Sequence, residues 1–236
     1  MKKPYLKKYG DVAGFTVWIV DGKYVRTHFD NEFTNYGQHY RFNFIPKKEF
    51  WIDRHKVPGE EKFYVSNLLV ENRLMAKGVD YKEAVDKANA IEKRERLKES
   101  LIKKKLEKKR KIKEEAESVH KKLLKKYSKH LKVWIVSGRL IRDLFFIDFV
   151  GGGHDKVYDF IPEGEIWIED NITANEIKFI LLHELFERNL MAKGMEYDPA
   201  HAAASGIEYY CRHHEEVLDK KIKQELKKAE KKFKSK

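Results

Sequence analysis

Apolar and polar residues follow two different periods along this chain. The sequence VWIV at residues 17–20 and again at 133–136 is typical of a strand, and Asp-Gly or Ser-Gly, a two-residue turn signal, follows it. We therefore expect a hairpin after each. A second extended pair around the two FIP sequences brings the prediction to about four short antiparallel strands. From residue 178 the apolar spacing becomes helical in KFILLHELFERNLMAK.

Capping signals place two helices after these strands. Thr173 and Glu176 have the spacing of a capping box, and Gly194 stands where a helix would end. Asp198 and Pro199 then predict the start of a second helix, which we expect to continue into the C-terminal tail. The pattern predicts an α+β fold, a small antiparallel sheet backed by two helices.

The pattern occurs twice. With an offset of 116 residues, about 30 of the 76 positions from residue 17 to residue 92 are identical without a gap. We therefore predict a tandem duplication with two modules, at residues 1–92 and 133–218, joined by a long basic helix at 93–132 and followed by a basic helical tail at 219–236.

Charge is distributed unevenly among these segments. Of the net +12, the connector holds +12 and the tail +6, whereas the second module has a net charge of -9. The connector contains no Gly or Pro, and its apolar residues recur mostly at helical spacing. Its basic residues indicate either a solvated spacer or contact with a polyanion through residues 93–132 and 219–236.

Other features of the composition exclude some classes of protein. Cys211 is the only cysteine, so a disulfide scaffold is excluded and a reducing compartment is expected. The N-terminus has no apolar segment of a signal peptide, and no stretch approaches 18 apolar residues. We therefore predict a cytoplasmic protein without a membrane partner.

The second module has a candidate metal site on its first helix. His183 and Glu187 lie one turn apart on one helix face, with Glu184 beside them, in the pattern HExxE. This helix resembles the HExxH helix of zincin metallopeptidases, in which two ligands one turn apart hold zinc and the adjacent Glu is the general base. The resemblance implies that His183 is a ligand, that Glu184 is the catalytic base and that Glu187 replaces the second His.

Further ligands are expected from neighbouring segments. Zincins of one type take a ligand from a downstream helix, and His201 is the candidate here, with Glu208 on the same face. His154 and Asp155, in the loop GGGHD, are additional candidates because glycines permit close approach of the backbone. We expect zinc, with manganese or iron as alternatives for a carboxylate-rich site.

The first module provides an internal control. Asn67, Leu68 and Val85 replace His183, Glu184 and His201 there. Glu71 and Glu92 nevertheless remain at the positions of Glu187 and Glu208, so these glutamates are either ligands or structural residues that pair with arginines.

Three functions are consistent with these patterns. The leading hypothesis is a metal-dependent, peptidase-like hydrolase with its site in the second module and a degenerate first module. The alternative is a non-enzymatic interaction protein whose basic helices bind nucleic acid or a large assembly. A metal-dependent phosphohydrolase ranks last because no glycine-rich phosphate loop precedes a helix.

Overall fold

The computed structural model describes residues 4–56, 58–98 and 112–233, and its chain forms two compact units. Unit 1 comprises residues 1–109 and 142–148, and unit 2 comprises residues 110–141 and 149–236. Each unit contains one four-stranded sheet. The tandem α+β arrangement predicted from the repeat is therefore confirmed.

In unit 1 the sheet has the strand order β1-β2-β4-β3 and packs against the first of two long helices, which in turn packs against the second. The elements of its described residues are β1 (Tyr5–Val12), β2 (Phe15–Val20), α1 (Gly22–His28), β3 (Tyr36–Gln38), β4 (Glu49–Asp53), α2 (Glu61–Met75) and α3 (Tyr81–Lys98).

In unit 2 the order β5-β6-β8-β7 repeats this arrangement. Its elements are α4 (Ile112–Val119), β5 (His120–Leu123), a short 3₁₀ helix (Lys125–Tyr127), β6 (Lys132–Val136), α5 (Gly138–Leu144), β7 (Gly152–His154), β8 (Glu165–Glu169), α6 (Ala174–Met191), α7 (Tyr197–His213) and α8 (Glu215–Phe233). The last residues of α5 are counted with unit 1.

The predicted hairpins are wrong, because a helix follows each VWIV strand. The Asp21 side chain accepts a hydrogen bond from the Tyr24 backbone N–H and so caps α1. Gly22 has no positive φ, but a Cβ there would overlap the Asp53 carboxylate, so this glycine serves close approach and not a turn. As a result β2 pairs in parallel with β4, and β6 with β8, while the other pairs in each sheet are antiparallel.

The sheets are held by a core on each side. In unit 2, apolar residues of β6 and β8 pack with α6, and α8 adds Leu218, Ile222 and Ala229 to the same cluster. In unit 1, Val17, Phe50 and Ile52 pack against α2. The opposite sheet face is covered by α1 and the following loops, around Val25 and Phe33.

The connector is not one long helix. Strand β5 and the 3₁₀ turn occupy residues 120–127, where a continuous helix was predicted, and β5 adds an edge strand to the sheet of unit 2. His120 explains why this segment belongs to the sheet: its ring stacks on Trp134 at 4.2 Å and pairs with Glu165 at 3.1 Å. The part of the predicted helix at residues 99–111 lies outside the described residues.

One predicted capping interaction and one predicted helix end also differ from the structure. Thr173 is the N-cap of α6, but its side chain makes no capping hydrogen bond, and Glu176 instead accepts two hydrogen bonds from Arg212. The helix that was expected to continue into the tail breaks at His214, which lets α8 turn back and pack against α6. No helix in the described parts of the chain is apolar over a length that would cross a bilayer.

Candidate metal centre

Six polar residues of unit 2 meet where α6, α7 and β7 face one another. They are His183, Glu184 and Glu187 on α6, His201 and Glu208 on α7, and His154 at the end of β7. In the described residues, two groups of three could each place ligand atoms within 4.8 Å of one another: His183 with Glu187 and His201, and His154 with Glu184 and Glu187.

The first group forms a compact triangle of donor atoms. His183 Nε2 lies 3.2 Å from His201 Nδ1 and 3.4 Å from Glu187 Oε2, and the third edge, from His201 Nδ1 to Glu187 Oε2, is 2.7 Å. A tetrahedral zinc ion with bonds of about 2.0–2.1 Å separates its donors by roughly 3.3 Å. Two edges already have that length, and the third is a hydrogen bond that would lengthen on metal binding.

A row of buried charged residues orients the His183 ring from the side opposite the triangle. Its Nδ1 lies 2.9 Å from Glu208 Oε2, and Glu208 Oε1 accepts hydrogen bonds from Arg212 at 2.6 and 2.9 Å. Arg212 also donates to both carboxylate oxygens of Glu176. A proton on Nδ1 directed at Glu208 leaves the Nε2 lone pair facing the other two donors, which is the orientation that a carboxylate behind a metal-binding histidine imposes.

Glu187 is held on its other side by β7. Its Oε1 lies 2.9 Å from His154 Nε2, and His154 is fully buried. The next residue, Asp155, forms a bidentate ion pair with Arg188 at 2.5 and 2.9 Å. His154 and Asp155 thus bind Glu187 and Arg188, two adjacent residues of α6.

Glu184 differs from the other carboxylates because no hydrogen bond of the described residues involves its side chain. Burial raises its pKa to about 7, although the nearby histidines lower it in part. Gly152 makes room for it, since a Cβ there would lie 3.0 Å from Glu184 Oε1 and 2.8 Å from Ile180 Cγ2. The result is a buried, unpaired carboxyl beside the donor triangle.

The surrounding charges favour a cation in the triangle. Burial alone would lower the pKa of His183, but hydrogen bonds to Glu187 and Glu208 outweigh it and raise the pKa well above the usual value. Burial would raise the pKa of Glu187, yet hydrogen bonds from His154, His183 and His201 lower it. Hydrogen bonds from His183 and Arg212 likewise lower the pKa of Glu208, so Glu187 and Glu208 stay ionised and stabilise positive charge between them.

Solvent reaches the triangle from the side of α7. The side chain of His201 is 33% exposed, whereas that of His183 is 12% exposed and that of Glu187 is 4% exposed. Tyr197, itself exposed, stacks on the His201 ring at 5.3 Å. A bound metal would have an accessible position on this side.

The first module keeps the frame but not the donors. Arg96 joins Glu92 and Glu60 as Arg212 joins Glu208 and Glu176. Asn67 Nδ2 donates to Glu92 Oε2 at 2.9 Å, the length of the His183 contact with Glu208. At the position of Gly152 stands Tyr36, whose ring stacks on Tyr64 at 4.7 Å. Aromatic rings therefore occupy this part of the first module.

The sequence-predicted residues fall into three sets in the structure. His183, Glu187 and His201 form the triangle, and Glu184 and His154 lie next to Glu187. Glu208 contacts His183 and Arg212, as the structural alternative for it anticipated. Asp155 belongs to neither metal group and pairs with Arg188.

Sequence reasoning missed the residues that support this site. Arg212 could have been found, because Arg96 stands 116 residues earlier, just beyond the aligned segment. Gly152 and Arg188 carry no such signal, since Tyr36 and Asn72 replace them in the first module.

The basic segments have a structural use in unit 2. Besides its three apolar core residues, α8 places Glu225 where it accepts a hydrogen bond from Asn189 of α6 at 3.0 Å. Lys220, Lys223 and Lys227 are exposed on its outer side. Contact with a polyanion through residues 93–132 and 219–236 stays a prediction.

Comparison of this chain with protein-family models, with curated proteins and with solved structures finds no match.

Proposed function

We propose that this protein is a metal-dependent hydrolase with a peptidase-like site in its second module. The observation that carries the proposal is the triangle of His183, His201 and Glu187, with donor separations of 2.7–3.4 Å and an unpaired carboxyl, Glu184, beside it.

The donor set fits a catalytic metal. Two imidazoles and one carboxylate are the ligands of catalytic zinc in one class of metallopeptidases, and the same set suits Fe(II). His183 would bind through Nε2 and His201 through Nδ1, because these atoms face Glu187. Three protein ligands and an exposed side leave a position for water or substrate.

Glu184 supports hydrolysis in particular. A divalent metal in this triangle would supply Lewis acidity, which polarises a carbonyl and acidifies water. A Glu184 carboxylate oxygen lies within 4.8 Å of a Glu187 oxygen, and Glu184 would be the residue that takes a proton from the attacking water and returns it to the leaving amine. Since no side chain of the described segments hydrogen-bonds to this carboxyl, it is available for both transfers. The resemblance of HExxE to the zincin helix supports the same assignment.

The experiment compares wild-type protein with Glu184→Gln on a mixture of quenched fluorescent peptides, with zinc, manganese or Fe(II) added to metal-free protein. We expect metal-dependent cleavage that falls by about 10²–10⁴-fold in Glu184→Gln, the usual contribution of a general base. Glu163→Gln, in a turn outside the cluster, is the control and should cleave like wild type. Metal binding should persist in Glu184→Gln, because Glu184 is not in the triangle. Cleavage that is equal in both proteins would contradict the role of Glu184.

A further inference from the structure

His154 offers a nitrogen to the cluster, and its hydrogen bonds decide whether that nitrogen can bind a metal. The backbone N–H of Lys156 donates to His154 Nδ1 at 3.1 Å. A neutral imidazole that accepts a hydrogen bond at Nδ1 carries its proton on Nε2. Nε2 is the atom that lies 2.9 Å from Glu187 Oε1. It therefore donates to Glu187 and has no lone pair for a metal.

The opposite arrangement occurs at His183. There Nδ1 faces a carboxylate, Glu208, and so keeps its proton, which leaves Nε2 as the nitrogen that a metal ion can bind in exchange for a proton. The two histidines contact different oxygens of Glu187: His183 Nε2 faces Oε2 and supplies a lone pair once a metal ion displaces its proton, whereas His154 Nε2 donates its proton to Oε1.

We propose that His154 is a positioning residue and not a ligand, and that the centre consequently holds one metal ion, bound by Glu187 through Oε2 alone. This inference rests on the proposed metal centre. Of the two groups that could hold a metal, the group of His154, Glu184 and Glu187 loses its only nitrogen donor, and Glu184 remains free of metal.

The first module shows what an amide does at this position. Gln38 replaces His154 there: its Nε2 donates to Met75 Sδ at 3.3 Å, and its side-chain amide also lowers the pKa of Glu71, the counterpart of Glu187, by hydrogen bonding. A glutamine N–H can thus hold the repeated glutamate from the same strand. Glutamine at position 154 therefore distinguishes the two roles of His154. An amide can donate a hydrogen bond to Glu187, but it is a poor substitute for a metal-binding imidazole.

The experiment measures metal per chain, affinity by competition with a chelator, and the visible spectrum of the Co²⁺ form, in wild type and three variants. We expect one metal per wild-type chain. His154→Gln should keep one metal and the wild-type Co²⁺ bands. His154→Leu, which removes the donor to Glu187, should weaken binding by about 10–100-fold. His201→Gln, which removes a ligand, should change the bands and lose stoichiometric binding.

The outcomes separate this inference from the proposed function. Two metals per chain, or loss of metal and altered Co²⁺ bands in His154→Gln as in His201→Gln, would show that His154 is a ligand and overturn the inference while the metal centre stands. Absence of metal from wild type after reconstitution would overturn both. Since His154 is buried, the folded state of each variant is checked by circular dichroism, and His154→Gln carries the test if His154→Leu does not fold.

Discussion

Glu71 and Glu187 occupy the same position in the two modules, yet their pKa values shift in opposite directions. Burial, with Asp148 and Glu92 nearby, raises the pKa of Glu71 to about 7, although Gln38 lowers it in part. Three histidines lower the pKa of Glu187 despite its burial. The surroundings of Glu71 thus disfavour its negative charge, whereas the surroundings of Glu187 stabilise the charge that a cation would bind.

The two modules share the residues that support the helix pair and differ in the residues that could bind a metal. In the row of Glu60, Arg96 and Glu92 the arginine bridges two glutamates, as it does in the row of Glu176, Arg212 and Glu208, so this row supports the helix pair whether or not a metal binds. The chemical difference lies in a few exchanges on this frame. Asn67, Leu68 and Val85 stand where the second module has His183, Glu184 and His201.

The largest expected effect is a gain of metal binding in the first module. Asn67→His with Val85→His supplies two imidazoles beside Glu71, and Glu92 is already placed to accept the Nδ1 proton of the imidazole introduced at position 67. We expect a second metal per chain, bound more weakly than the first because Tyr36 and Leu68 stand where the second module has Gly152 and the Glu184 carboxyl beside the site. Elemental analysis after reconstitution measures it. An unchanged count would mean that the shared frame does not orient ligands.

The next effect is a loss of stability in unit 1. Glu60 is fully buried and pairs with Arg96 at 2.6 Å and with Arg142 at 2.6 Å. Burial would raise its pKa, but the two arginines lower it. Glu60→Gln leaves buried guanidinium charge uncompensated, so we expect a loss of about 3–5 kcal/mol in the free energy of unfolding.

Urea denaturation at pH 7 measures this loss. Glu83→Gln is the control, since its ion pair with Lys87 is about half exposed and should contribute less than about 1 kcal/mol. Equal stability of the two variants would show that the row of buried charges does not support the fold.

A smaller effect of opposite sign is expected at Glu71. Because its pKa is about 7 in the folded protein and 4.5 is its ordinary value, the folded state holds the proton more tightly. Wild-type stability should therefore fall as the pH rises from about 4.5 to about 7 and change little above that. Glu71→Gln lacks this decline and should be more stable than wild type by about 1–3 kcal/mol at pH 8, with little difference at pH 5.

Urea midpoints of Glu71→Gln and wild type at these two pH values test the sign. A variant less stable than wild type at pH 8 would mean that the Glu71 charge is compensated in the folded protein.

The smallest effect concerns a glycine that differs between the modules. Gly206 lies inside α7, has no atom within 4 Å of a Cβ built on it, and corresponds to Ala90 in the first module. Gly206→Ala should stabilise the protein by about 0.5–1 kcal/mol through helix propensity. Thermal melting measures it, and metal content should not change. A destabilised variant would indicate that this part of α7 needs a glycine for close packing.

The repeat could be predicted from identical residues at a fixed offset, and the strands VWIV and both helices of the second module could be predicted because their periodicity is local. Prediction failed where a long-range partner decides. Gly22 begins a helix because it packs on Asp53, and residues 120–123 form a strand because His120 reaches Trp134 and Glu165. The partners in these contacts lie more than ten residues away in the sequence, so no local pattern predicts them.

In the candidate site too, local spacing could be predicted and long-range contacts could not. His183, Glu184 and Glu187 could be grouped from helix spacing, and His201 from the adjacent helix. Which nitrogen of His154 carries a proton depends on the Lys156 backbone N–H, and the ionisation of Glu187 depends on three histidines from three elements. Such contacts exist only in the folded chain.

The most direct test of the account is the metal content of wild type and His183→Asn. Asparagine is the residue of the first module at this position, where it makes the corresponding contact with Glu92, so this variant should fold. We predict one zinc, manganese or iron per wild-type chain and none in His183→Asn, with His213→Ala, an exposed histidine of α7, unchanged. Equal metal content in wild type and His183→Asn, or none in either after reconstitution, would contradict a metal centre in the second module.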